Sequence, residues 1–180
     1  MRLAEFRQAV ECDLFKGEPQ SIRRLVSLLL WGSGGDGLVV LLRLRALFLS
    51  NNRGRIGLIV QTIIERRYGC YISGRAIIGE RPKFPHPVGI VIGEGVVVGS
   101  GCTIYQNVTL GGRRLGASNI VHYPRVGDAV TIFAGAAVLG DAIIGNASTI
   151  GANAVVLKSV PDGATAAGVP ARILSITKSK

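Results

Sequence analysis

Acidic residues, histidines, cysteines and aromatic rings are all scarce in this chain of 180 residues, and each shortage closes a route. Eleven carboxylates stand against 21 Lys and Arg, a net charge of +10 that asks for an anionic partner. Nucleic acid is not the expected one, because only 6% of residues are aromatic, the arginines are not interleaved with rings and no nucleic-acid motif occurs. The three cysteines, Cys12, Cys70 and Cys102, are odd in number and far apart, with no C-x-x-C pair. That spacing builds neither a disulfide framework nor a metal ribbon, so reduced packing thiols in a cytoplasmic chain are expected. Long apolar runs are missing as well. Leu38 to Leu49 is broken by Arg43 and Arg45, and Ile56 to Ile64 is shorter still, both below the ~20 residues of a membrane span. The start, Met1-Arg2-Leu3-Ala4-Glu5, lacks the apolar core of a secretory signal.

Glycine is abundant, with 25 residues, alongside Val, Ile and Ala in a chain whose length suits one domain. From Ile72 a large apolar residue returns every six positions: Ile72, Ile78, Phe84, then Ile92, Val98, Ile104, Leu110, and later Val126, Ile132, Val138, Ile144, Ile150 and Val156. Something small or compact follows four positions on, as at Cys102, Val130, Ala136, Ala142, Ser148 and Ala154. This period fits neither an amphipathic helix nor a hairpin, but three units make an 18-residue coil with three flat sides and three corners. One buried Val or Ile is worth ~1.5 to 3 kcal/mol, too little for a lone coil to offset its ordering entropy, so coils must stack. The expected architecture is mainly β, a parallel β-helix over residues 68–161. A small α-helical region, residues 1–67, precedes it, and a cap and tail, residues 162–180, follow. Within the first region Leu25 to Leu30 and Leu38 to Leu49 read as helices either side of the glycine-rich break Gly32 to Gly37, available to cover the open edge of the first coil. Pro161 reads as the end of the repeat.

The register breaks twice, and each break carries one of the chain's two histidines. Two extra residues between Phe84 and Ile92 put His86 on a bulged corner, within Phe84-Pro85-His86-Pro87-Val88-Gly89. A loop excursion, residues 111–125, ends Asn119-Ile120-Val121-His122-Tyr123-Pro124. The plain reading of His86 is an exposed corner residue. The catalytic reading is favoured, because proline on both sides fixes the ring and an insertion into a regular coil needs a reason. An imidazole can take the proton of an attacking hydroxyl, so His86 is the candidate general base.

Three segments sharpen this: His86-Pro87-Val88-Gly89-Ile90-Val91-Ile92-Gly93-Glu94, Gln106-Asn107-Val108-Thr109-Leu110-Gly111-Gly112, and Ala166-Ala167-Gly168-Val169-Pro170-Ala171-Arg172. On this repeat, over about Ile72 to Leu174, they resemble the serine O-acetyltransferase branch of the hexapeptide-repeat acyltransferases. The resemblance implies a left-handed coil and acetyl-CoA as co-substrate without a metal. It also implies direct transfer with His86 as base, and a homotrimer with active sites between subunits. It implies CoA contacts at Gly112, Ala134 and Ala152. Arg113, Arg114, Lys158 and Arg172 are candidates for the CoA phosphates, each also readable as solvated surface. Backbone N–H groups at Gly111 and Gly112 are candidates for holding a developing oxyanion. A metal-dependent hydratase shares this coil but takes three histidine ligands, and the chain has two.

The chain departs from that branch in three places. The family's orienting aspartate is replaced by Tyr71, leaving Glu94 or a backbone carbonyl to orient His86. The acid before the base is Pro85. The family's Arg-His-Pro triplet aligns with His122-Tyr123-Pro124, so His122 is either a site residue or an ordinary loop residue. These changes remove groups that hold a zwitterion and keep the base. The expected acceptor is a sugar hydroxyl in surface polysaccharide synthesis, or L-serine. The alternatives are a serine acetyltransferase proper, feeding cysteine synthesis, and a non-catalytic β-helix scaffold. The helical region is shorter than that of the serine enzymes, and the C-terminal Lys178-Ser179-Lys180 differs from the isoleucine tail that docks cysteine synthase, so a free trimer is implied. The basic, apolar N-terminal region implies peripheral contact with the inner face of a membrane.

Overall fold

The six-residue period becomes a three-sided stack of parallel strands in a computed structural model that describes residues 3–32, 34–114 and 121–176, with Arg113, Arg114 and Val121 described by backbone alone. The first face stacks Tyr71–Ile72, Val91–Ile92, Thr109–Gly111, Ala137–Leu139 and Val155–Val156. The second stacks Ile77–Ile78, Val97–Val98, Arg125–Val126 and Ile143–Ile144, with Val160 bridged to Ile144. On the third, Lys83 bridges to Thr103–Ile104, followed by Thr131–Ile132, Thr149–Ile150 and Ala164–Ala167. Antiparallel Arg172–Ile176 closes that face.

The repeat's apolar residues pair in register, Ile92 with Leu110 and Ile132 with Ile150, so each column of the core is one residue per coil. All of them are buried except Ile78, which is half-buried. Among the compact residues four positions later, Ser148 is the polar one, and its hydroxyl donates to the Gly145 carbonyl at 2.7 Å. Between the second and third faces Gly79, Gly99, Gly127 and Gly145 lie one above the other, and a Cβ at Gly99 would strike the Gly127 backbone. Beside this column the Asp128, Asn146 and Asp162 side chains accept from the backbone N–H of Ser100, Asp128 and Asn146 at 2.7 to 2.8 Å.

The coil runs past Pro161, because Ala164–Ala167 joins the third face. The reason lies in the direction of the ladder. Along the strands the ladder N–H groups donate to carbonyls of the next coil, Gly127 to Ile144 and Gly145 to Val160, both at 2.8 Å. Pro161 stands in register with Gly145, a forward donor, but in the last coil, where no further coil offers that position an acceptor, so proline costs nothing there.

The opposite end leaves the first coil's carbonyls without donors, and helices supply them. The four helices are α1 (Leu3–Phe15), α2 (Ile22–Trp31), α3 (Gly35–Ser50) and α4 (Gly54–Tyr68). Leu25 to Leu30 falls in α2, Leu38 to Leu49 in α3 and Ile56 to Ile64 in α4. Helix α1, whose apolar stripe Phe6, Val10, Leu14 is narrow, is an addition to the sequence reading. Helix α3 plugs the prism, with Leu38, Val39, Leu41 and Leu42 joining its core. The Arg43 guanidinium donates to the carbonyls of Ile78 at 2.9 Å and Gly79 at 2.6 Å while pairing with Asp13 at 2.7 Å. Arg45 donates to the Ile72 carbonyl, to Gln61 and, at 3.1 Å, to the Ser73 carbonyl. Burial pulls Arg45 down to about 10. The charges that break the apolar run of α3 are therefore the caps of an open sheet end. Arg45→Met keeps the volume but leaves two buried carbonyls unpaired, and is expected to lower unfolding free energy by about 2 to 4 kcal/mol in urea titration. Among the described residues no single helix is long and apolar enough to cross a membrane.

Candidate active site

His86 stands on the edge joining the third face to the first. The two inserted residues push Pro85 and His86 outward while Pro87 stays buried, so the imidazole is exposed on a fixed knuckle. The His86 carbonyl accepts from the Val88 N–H at 2.8 Å, and the Val88 carbonyl accepts from Asn107 of the next coil at 2.8 Å. Gly89 takes a φ of +67°, and a Cβ there would collide with the Asn107 side chain, so the bulge closes only on glycine. Beneath it the Cys70 sulfur lies 3.4 Å from the carbonyl oxygens of Tyr68 and Pro87. Burial pushes this thiol up, which keeps it protonated as a donor.

The ring that His86 meets is Tyr105, with centroids 6.4 Å apart and planes tilted by 52°. Tyr105 in turn stacks on Phe133 of the next coil at 5.1 Å. The Gln106 Oε1 is buried on this edge without a hydrogen-bond partner. Half-buried Ala134 and exposed Ala152 continue the edge one and two coils beyond Gln106. Tyr105→Ala removes the contact against which the imidazole rests. Turnover is expected to fall about three- to tenfold with the unfolding temperature nearly kept, as measured by steady-state kinetics and calorimetry.

The edge between the first and second faces holds the other group. Glu94 is exposed there and pairs with Arg75 at 3.4 Å, both side chains being more than half solvated, so the pair adds little stability. Half-buried Gly111 and exposed Gly112 lead into the excursion, where Arg113–Arg114 pairs antiparallel with Val121–His122. His122 is half-buried, its backbone opposite Arg113. The next residue, Tyr123, packs its ring over Gly93 and Gly95, anchoring the return of the loop to the coil.

Glu94 does not orient His86 within the chain, because the whole first face separates their edges and Glu94 is engaged with Arg75. Nor does one chain bring His122 to His86. The structure gathers His86, Ala134 and Ala152 on one edge, and Glu94, Gly111, Gly112 and His122 on another. Lys158 and Arg172 line one cavity of about 360 Å³ at the far end of the prism. The side chains of Arg113 and Arg114 lie outside the described residues. Sequence reasoning named Cys70 only as a packing thiol and Gln106 only within a motif, and it missed Tyr105. Tyr105 was findable, since it directly follows the core residue Ile104 one coil on from Phe84, which leads into the bulge.

A model of the bacterial transferase hexapeptide family (six repeats) matches residues 123–158. The serine acetyltransferase of Haemophilus influenzae is 43% identical over 130 residues, covering 72% of this chain and 48% of the relative. A solved serine acetyltransferase, a truncated apoenzyme, superimposes with a TM-score of 0.78 at 34% identity, covering 96% of this chain and 71% of that one. Another, in complex with CoA, gives a TM-score of 0.71 at 37% identity, covering 93% and 66%. The prism is thus the left-handed β-helix of the hexapeptide transferases. Within that class, the chain belongs to the serine acetyltransferase family. It spans about half the length of the curated relatives it matches.

Proposed function

We propose that this chain transfers an acetyl group from acetyl-CoA directly to an acceptor hydroxyl, with His86 as general base. The observation that carries the reading is an exposed imidazole on a knuckle locked by two prolines, at the head of an edge of small residues. His86 takes the hydroxyl proton as the acceptor oxygen attacks the thioester carbonyl. The carbon–sulfur bond breaks, the proton passes to the departing thiolate, and the products are an O-acetyl ester and CoA. No acyl-enzyme forms.

The partner groups stand on a different edge from His86, so the site belongs in the cleft where that edge meets the Gly112 edge of a neighbouring copy in a homotrimer. There the N–H groups of Gly111 and Gly112 meet the oxyanion, with Glu94 and His122 alongside as polar groups. Ala134 and Ala152 leave a groove from the base toward the end of the prism, with a coil spacing of about 4.8 Å. Lys158 and Arg172, sharing the end cavity, hold CoA phosphates, and Arg113 and Arg114 are further candidates. The substrate is a CoA thioester because a solved relative is a complex with CoA.

Pro85 and Tyr71 stand where the resemblance puts carboxylates, leaving no acid there for the amine of a zwitterion, which favours a neutral sugar hydroxyl, as in cytoplasmic assembly of surface polysaccharide. L-serine is the second reading, favoured by the serine acetyltransferase relatives. Thiol release from acetyl-CoA, followed with a panel of sugars and with L-serine, tests both. Acceptor-dependent release with a matching O-acetyl ester by mass spectrometry is expected. Release with serine alone selects the second reading, and no release with any hydroxyl removes the proposal.

A further inference from the structure

The helices expose an apolar surface that neither the prism nor the proposed site uses. Helix α2 buries Leu25 but leaves Ile22 69%, Val26 45%, Leu30 54% and Trp31 74% exposed. Ile22, Val26 and Leu30 recur every fourth residue, so they form one stripe along the helix. The stripe borders a groove of about 460 Å³ between α1, α2 and α3 that also takes in Leu3 and Phe6. Arg7 is the one charged residue lining that groove, and it is held by Glu11 at 2.8 Å and the Gln20 carbonyl at 2.7 Å. Water is a poor neighbour for such a surface.

Charge identifies the neighbour. Helix α2 carries Arg23 and Arg24, both exposed, and no acidic residue. Arg24 sits 4.7 Å over the Phe15 ring, which holds its guanidinium at the rim. A second copy docking on this surface would meet two exposed arginines with no acidic residue on its own α2 to receive them, and both copies would carry a net charge of +10. An apolar stripe flanked by arginines and ended by tryptophan instead suits a helix lying in the interface of an anionic bilayer, with apolar side chains among the acyl chains and arginines at the headgroups. We infer that α2, with the start of α1, docks this protein on an anionic phospholipid surface. Helix α2 has ten residues and lies on the bilayer without crossing it.

Trp31 is the sole tryptophan, so its emission reports docking directly. Titrating the full chain with phosphatidylcholine vesicles, with and without phosphatidylglycerol, is expected to shift that emission to the blue and to co-sediment the protein with the anionic vesicles. Added salt should reverse both effects. Val26→Glu should abolish binding, and Arg23→Gln with Arg24→Gln should weaken it by more than about tenfold. All three positions are exposed and lie outside the proposed site, so acetyl-CoA turnover should be unchanged. Vesicle binding and acetyl transfer thus succeed or fail separately. Absence of both the shift and co-sedimentation overturns the inference. So does a lipid-free dimer that Val26→Glu dissociates, which would give the surface to a second copy.

Discussion

Replacing His86 by alanine is expected to lower kcat for acetyl transfer by about 10² to 10⁴, the contribution of a positioned general base. Affinity for CoA and the unfolding temperature should stay close to the parent's, because the imidazole is exposed and, among the described residues, donates no hydrogen bond that the fold relies on. The bulge is held by Cys70, Gly89 and Asn107, not by the ring. Calorimetric titration with CoA beside a thiol-release assay separates a lost base from a lost binding site. A variant that binds CoA and turns over at the parent rate would take His86 out of the chemistry.

Ile144→Asp is expected to unfold the prism. Ile144 is fully buried between Val126 and Val160 in a column that has no second layer to absorb a charge. Burying an unpaired carboxylate there costs several kcal/mol, a large share of the ~5 to 15 kcal/mol that holds a domain folded. The neighbouring Ile143 is 57% exposed on the same strand, and Ile143→Asp should shift the melting temperature by only a few degrees. Far-ultraviolet circular dichroism on heating distinguishes the two. A cooperative parent-like melt for Ile144→Asp would mean that the inward register is wrong.

The contrast between these adjacent isoleucines shows why the coil was legible from sequence. A period of six sends the same position inward on every turn, and the pairing of Ile92 with Leu110 or Ile132 with Ile150 follows from counting. Both register breaks were legible for the same reason, and with them both histidines. That helices cover the first coil was legible too, but the contacts by which they cap it were not. Arg43 and Arg45 meet backbone carbonyls some 27 to 36 residues away, and a carbonyl carries no sequence signature. Pro161 misled as an end signal, because a missing N–H matters only where a further coil would receive it. Glu94 entered through the family resemblance, and within one chain a strand rising ~3.3 Å per residue carries it to the next edge. Tyr105, farther along the chain, is nearer in space because it is one coil away.

On the proposed reading the site is a property of an assembly. Active-enzyme sedimentation, in which a band of protein is followed by the thiol it releases as it moves through acetyl-CoA and acceptor, weighs the species that performs the chemistry. The predicted species contains three copies of the 18.9 kDa chain, about 57 kDa. Turnover travelling with a single 18.9 kDa chain would contradict a site completed by a neighbouring copy.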